Sequence, residues 1–138
     1  MRISSQLLDE IVAHAREDAP NECCGMIAAR DGRATAVHRT RNIHASPLRY
    51  ELDPKEQLLV LNAIDDAGDE LGAIYHSHTR SAPEPSQTDV NLAKWWPEPL
   101  YVIVGLEHDE PEVRAWRIVD GAASEAALEV EDGAPVDT

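Results

Sequence analysis

Between His76 and Asp89 the chain reads H-S-H-T-R-S-A-P-E-P-S-Q-T-D, and its spacing, H-x-H-x7-S-x2-D, restricts how this stretch can fold. The run leading into it, Leu71 to His78 (L-G-A-I-Y-H-S-H), has the length and branched content of a buried strand. Side chains alternate along a strand, so His76 and His78 project from one face while Ser77 points away. Two imidazoles on one side, one residue apart, make half of a tetrahedral zinc site. Asp89 is the leading candidate for a third ligand. It falls on the first turn of a helix expected to run to about Trp96, where Pro97 blocks continuation. Asp89, Leu92, Ala93 and Trp96 share one helical face, apolar except for the aspartate, which therefore points inward. Three protein ligands leave a fourth position for water, the arrangement expected of a catalytic zinc. A plainer alternative makes Ser86-x-x-Asp89 a helix capping pair and the histidines ordinary polar residues. Capping leaves two same-face histidines on a buried strand unexplained.

Such a water needs a proton acceptor. Glu22 is the best-placed candidate, in P-N-E-C-C-G (Pro20 to Gly25) just before the apolar stretch Met26 to Ala29. A glutamate at the mouth of a buried strand lies near a sheet end. Alone this is weak, because one glutamate among many is usually solvated surface. The histidine motif gives it weight.

These residues resemble the JAMM/MPN-type zinc metalloproteases, whose pattern is an upstream glutamate followed by H-[ST]-H-x7-S-x2-D. Glu22, His76, Ser77, His78, Ser86 and Asp89 fill every position. E-C-C-G also matches the family's E-x-C-G, with Cys24 in the cysteine slot. The resemblance implies His76, His78 and Asp89 as ligands of Zn2+, Glu22 as general base, and the Ser86 hydroxyl as a support for the tetrahedral oxyanion. It also implies an α/β fold, a single JAMM/MPN domain with a mixed β-sheet flanked by helices, similar to the cytidine-deaminase-like architecture. The stretches Ala45 to Asp53, I-Y-H-S-H-T, P-S-Q-T-D-V and Trp116 to Gly121 look like one bacterial branch. That branch cleaves a ubiquitin-like sulfur-carrier protein bearing a C-terminal cysteine, a step of cysteine biosynthesis. The likeness extends to about Glu131. The loop Thr79 to Pro85, with Arg80 and two prolines, departs from the pattern and abuts the site.

Composition agrees with a small intracellular enzyme. At 138 residues the chain is expected to form one domain over residues 1–131, followed by a short acidic tail at 132–138. No stretch is long and apolar enough to span a membrane, and the N-terminus lacks a secretory apolar region. The adjacent cysteines, Cys23 and Cys24, make a poor disulfide framework, so the cytoplasm is the expected location. A net charge of −14 argues against nucleic acid as a partner, since phosphate binding needs a basic stripe. The acidic end after Arg117 reads as a solvated strand edge and a frayed tail.

The coarse pattern is α, β-hairpin, α, β, α and then β. Leu8, Ile11, Val12 and Ala15 mark an amphipathic first helix after Ser5. Met26 to Arg30 and Ala34 to Arg41 are strands joined at Asp31-Gly32. Asp53-Pro54-Lys55-Glu56 opens the second helix with a cap, a first-turn proline and a capping-box acid. Its expected core stripe is Val60, Ile64, Ala67 and Leu71. Leu100 to Leu106 and Glu112 to Val119 follow as neighbouring strands, and Asp120-Gly121 turns into a last strand near Ser124 to Val130. His14, His38, His44 and His108 read as surface residues. Cys23 and Cys24 read as small packed residues, and Trp95, Trp96 and Trp116 as core or interface.

Three functions compete. The first is a metallopeptidase releasing cysteine from a sulfur carrier ending in Gly-Gly. The second is an isopeptidase removing a ubiquitin-like protein from lysine conjugates. The third is a non-catalytic scaffold binding a ubiquitin-like partner, a class of this fold that lacks the metal ligands present here. The short span from Glu22 to His76 favours one docking surface and a small leaving-group pocket, beside which Arg80 could pair with the cysteine carboxylate.

Overall fold

Two tight turns and one helical crossover dictate the order of strands in this chain, a computed structural model of which describes residues 1–131. The acidic tail expected at 132–138 lies outside the described residues. The elements are β1 (Arg2–Ser4), α1 (Ser5–Asp18), β2 (Cys24–Arg30), β3 (Arg33–Thr40), α2 (Pro54–Asp66) and β4 (Glu70–His78), followed by α3 (Gln87–Ala93), β5 (Leu100–Gly105), β6 (Glu112–Val119), β7 (Ala122–Ala126) and β8 (Glu129–Glu131). Among the described residues the strands form one sheet in the order β7-β6-β5-β4-β2-β3-β1-β8. Pairing is antiparallel except at β4–β5, β1–β3 and β1–β8.

Both Asp-Gly turns form as read. Asp31 and Gly32 have φ of 52° and 79°, and Asp120 and Gly121 have 53° and 78°. Positive φ at both central residues is the type I′ geometry that matches strand twist. The first turn returns β2 into β3 and the second returns β6 into β7. The β4–α3–β5 crossover joins two parallel neighbours, so it carries α3 across one face of the sheet.

Strand parity divides the core in two. Ala73, Tyr75, Val102 and Val104 pack with Ile11 and Ala15 of α1 on one face. Ile74, Tyr101, Cys24 and Met26 pack with Ala93 of α3 and with Tyr50 and Leu52 on the other. The α1 start is capped by Ser4, whose Oγ accepts from Leu7 N at 3.1 Å. Asp53 caps α2 by accepting from the Lys55 and Glu56 backbone, with Pro54 in the first turn, as the sequence indicates. Cys23 and Cys24 are buried free thiols, as read.

Five expectations need correction. The N-terminus does not lead straight into a helix: Arg2–Ser4 form β1, parallel to β3 and to β8. The expected last strand is two strands that separate to opposite edges, β7 on β6 and β8 on β1. The regular part of α3 stops at Ala93, short of Trp96. Beyond it the Trp95 and Trp96 amides donate three residues back, to Leu92 and Ala93, at 3.3 and 2.9 Å. That tightening fits a chain approaching Pro97, before which helical geometry is disfavoured; it swings Trp95 out to 80% exposure, not into a core. Ala67 is not in the α2 core stripe, because it is the exposed C-cap.

His14 is the fifth correction. It is buried, not at the surface, and its Nδ1 lies 2.6 Å from the Tyr75 hydroxyl. Its Nε2 faces Asp18 at 3.4 Å. In the neutral ring Tyr75 O–H donates to Nδ1 and Nε2–H points at the carboxylate. Burial lowers the His14 pKa, partly opposed by Asp18. A histidine whose folded pKa lies below its unfolded ~6.5 binds protons more readily when unfolded. Its contribution to stability is therefore fully present above pH ~6.5 and lost as pH falls towards the folded value. The loss of stability from pH 6.5 to 5, followed by denaturant midpoints, should be shallower in His14→Gln than in the unaltered protein.

Tyr75 also explains Gly25. A Cβ at Gly25 would stand 2.4 Å from Tyr75 Cε2, and the ring is fully buried with nowhere to retreat. Gly25→Ala should therefore destabilise the fold by ~2 kcal/mol, as overpacked cores do. Equilibrium denaturation measures this, and an unchanged midpoint would refute it.

Candidate metal centre

His76 and His78 leave the sheet on the α3 face, as their parity requires, while Ser77 faces the other side. Ser77 Oγ accepts from Cys23 N at 2.8 Å, and Ser77 N donates to Cys23 O at 3.3 Å. These bonds tie the end of β4 to the segment that carries Glu22. The β2–β4 register places Cys24 opposite His76. Irregularities in β2 pairing occur only towards its far end, at Ile27 to Ala29.

Asp89 sits at the third position of α3 in a complete capping box. Ser86 Oγ accepts from Asp89 N at 3.1 Å, and Asp89 Oδ2 accepts from Ser86 N at 2.9 Å. The same Oδ2 is 3.1 Å from His76 Nε2 and 3.0 Å from His78 Nε2, and the two nitrogens are 3.2 Å apart. Capping and convergence on the histidines, read as alternatives in the sequence, are both present in one carboxylate. All three side chains are buried.

The donor set fits a divalent metal. Ligands held at ~2.0–2.2 Å around a tetrahedral ion stand roughly 3.3 Å from one another. The three separations here, 3.0 to 3.2 Å, are close to that. His78 Nδ1 lies 2.8 Å from the Ala82 carbonyl, which makes it the N–H donor and leaves the Nε2 lone pair for the centre. A lone pair facing a carboxylate oxygen is repulsive unless positive charge lies between them, either a proton or a cation. Burial would raise the Asp89 pKa, but the charge and hydrogen bond of His76, the hydrogen bond of His78 and the Ser86 amide hold it well below the usual carboxylate range. Burial lowers the His76 pKa. Burial also works against protonation of His78, yet its bonds to Asp89 and to the Ala82 carbonyl raise its pKa overall.

Glu22 is 4% exposed, and its Oε1 has no hydrogen-bond partner among the described residues. Burial pushes its pKa up to about 8, with Asp89 adding to the rise and His78 opposing it. With His78 and Ser86 it lines a cavity of about 400 Å³ that also includes Arg80. All five sequence-derived site residues are thus brought together. Ser86 Oγ spends an acceptor site on the Asp89 amide, which leaves its own O–H to donate.

Three further residues shape the site without having been singled out in the sequence. Tyr50 stacks on His76, with ring centroids 4.1 Å apart and planes within 18°. Asn42 Nδ2 donates to the Glu22 and Arg49 carbonyls at 3.1 and 3.0 Å, fixing the loop that brings Tyr50 over the ring. Ala82 orients His78 through its carbonyl. Tyr50 lies in the 45–53 stretch that resembled the family, and that was its only signal. A lone asparagine or a loop carbonyl carries none. His44, in the same loop, pairs with Glu51 at 3.0 Å and is not part of the metal cluster.

Comparison with known proteins places this geometry. Residues 4–119 match the family model described as prokaryotic homologs of the JAB domain. The chain is 42% identical over 131 residues to a CysO-cysteine peptidase of Mycobacterium tuberculosis, covering 93% of this chain and 89% of the relative. It is 43% identical over 110 residues to a desampylase of Haloferax volcanii, covering 75% and 78%. Among solved structures, a protein of Desulfitobacterium hafniense superposes with a TM-score of 0.86 at 28% identity, covering 96% and 93%. A JAB1/MPN domain protein of Archaeoglobus fulgidus shares the fold, with a TM-score of 0.64 at 18% identity over 94% and 98%. The chain belongs to the prokaryotic JAB-domain family and is a peptidase of the JAMM/MPN type.

Proposed function

We propose that this chain is a zinc-dependent hydrolase that cleaves the C-terminal cysteine from a ubiquitin-like sulfur-carrier protein ending in Gly-Gly, in the cytoplasm. One observation carries the reading: a buried carboxylate with a free oxygen, Glu22, shares a small cavity with Ser86 and with His78, which belongs to the His76, His78 and Asp89 cluster. The 42% identity to a CysO-cysteine peptidase across nearly the whole chain supports the substrate class.

His76, His78 and Asp89 would hold the metal. Zinc bound there would lower the pKa of water towards ~7 and polarise the scissile carbonyl. Glu22 takes the proton from the attacking water and returns it to the departing nitrogen. A carboxylate whose pKa burial has moved towards neutrality suits both transfers. Ser86 donates its O–H to the oxygen on which negative charge develops. The glycyl carbon gains the water oxygen, the C–N bond breaks, and cysteine leaves with its amine protonated. Tyr50 stacks on His76 and keeps that ring in place.

His76→Ala should lose the bound metal and all turnover while remaining folded, read by elemental analysis beside circular dichroism. A folded, active and fully metallated His76→Ala would remove the ligand assignment. Glu22→Gln should keep near-normal metal while turnover falls ~100-fold or more. If that variant instead loses its metal, Glu22 is a ligand and the roles must be rewritten.

The 43% identity to a desampylase keeps a second reading, an isopeptidase acting on ubiquitin-like proteins joined to lysine. Mass spectrometry separates the two. The enzyme should release free cysteine from a carrier ending Gly-Gly-Cys and leave the Gly-Gly end intact, while cutting a lysine-linked conjugate poorly. Equal rates on both would favour the second reading.

A further inference from the structure

The β4–α3 loop, residues 79–85, is anchored along its length. Thr79 Oγ1 donates to the Pro20 carbonyl at 3.1 Å, and the Ala82 carbonyl receives His78 Nδ1. Pro83 is fully buried against Gly105, where a Cβ would stand 2.7 Å from its ring. Its carbonyl accepts from the Trp116 indole at 2.9 Å, and Glu84 pairs with Arg114 at 3.0 Å. Between these anchors lie Arg80 and Ser81, both exposed.

The Arg80 guanidinium has no hydrogen bond or ion pair among the described residues. Arg16 and Arg49 also lack such a partner among the described residues; what sets Arg80 apart from them is its position beside the site. Arg30, Arg33, Arg39, Arg41 and Arg114 are each paired with a carboxylate. Arg80 instead lines the cavity shared by Glu22, His78 and Ser86, to which it brings a permanent positive charge, with Pro47 and Leu48 as an apolar wall. An unpaired guanidinium beside a site in a protein of net charge −14 offers an incoming anion its local attraction.

We propose that Arg80 is the specificity-determining residue that binds the free α-carboxylate of the departing amino acid. The apolar wall receives a short side chain such as CH2SH. The assignment rests on the cysteine-releasing reading above. A carboxylate two bonds from the scissile nitrogen exists only when the leaving group is a terminal amino acid. An isopeptide nitrogen sits at the end of a lysine stem, and that residue's own carboxyl is tied up in a peptide bond. The pair is therefore formed with one substrate class and not the other.

The test uses the metal-loaded enzyme and two carriers, one ending Gly-Gly-Cys with a free carboxylate and one with the same end as a carboxamide. Wild-type kcat/KM should favour the acid by about tenfold, the scale of one charge-assisted contact. Arg80→Ala should lose about that factor on the acid, chiefly in KM, and nothing on the amide. Arg80→Lys should retain part of the preference, and metal content should match wild type in both variants. Brisk release of cysteine from both carriers at one rate by wild type, or an undiminished acid preference in Arg80→Ala, would overturn the Arg80 assignment while leaving the functional reading intact. No release of cysteine from either carrier would overturn that reading, and this inference with it.

Discussion

The antiparallel pairing of β2 with β4, in the register that sets Cys24 opposite His76, governs everything at the centre of this molecule. Side chains alternate with a period of two, so a slip by one residue would send both imidazoles to the α1 face and Tyr75 to the other. Among the described residues, His76, His78 and Asp89 form the one group arranged to hold a metal, and it lies on the α3 face. The register is held from three directions. Ser77 clasps Cys23 just past the end of β2, the Tyr75 ring fills the space left by Gly25, and the β5 strand pairs along the whole histidine segment. The segment containing Glu22 is carried along, because it is the short lead into β2.

Adjacent residues on β4 therefore serve opposite halves of the protein. Tyr75 and His14 satisfy one another inside the α1 core, where a buried hydroxyl or imidazole left alone would cost ~1–3 kcal/mol. His76 turns the other way, towards Tyr50 and Asp89. The Tyr75 contact gives α1 a polar tie to the strand on which the metal cluster depends. Asn42 performs the corresponding task on the other face, where its amide satisfies four backbone groups of the loop between β3 and α2 and of Glu22.

How much of this could be read in advance depended on the range of the interaction that decides each feature. Strand parity, Asp-Gly turns and the Asp53 and Ser86 caps are local, and the sequence carried them directly. The convergence of His76, His78 and Asp89 was legible because parity and helix periodicity each point a side chain inward, whereas Glu22 and Ser86 were singled out because their spacing resembles a known family. The pairing of β1 with β8 was not, since it joins Arg2 to Glu129 across the length of the chain and neither three-residue strand has a pattern of its own. His14 was misjudged for a related reason. On the helix it occupies a flank, and only the Tyr75 hydroxyl, brought from β4, makes burial of an imidazole acceptable. Tyr50 reaches His76 through a loop without periodicity, whose path is set by the Asn42 side chain.

Asp89 caps α3 and completes the metal cluster with the same oxygen. Two requirements meet in one side chain, and together they exhaust the alternatives among the amino acids. Asparagine could still receive the Ser86 amide, but it would bring no charge to the histidines. Glutamate would bring the charge on a stem one methylene longer, displacing its oxygen from a point already shared by three partners. Serine or threonine could bond the backbone and would leave the cluster with two ligands. Anyone seeking to retune this centre for a different ion thus has room at the two imidazoles and in the loop around Arg80, and almost none at the head of α3, where a change of ligand is also a change in how the helix begins.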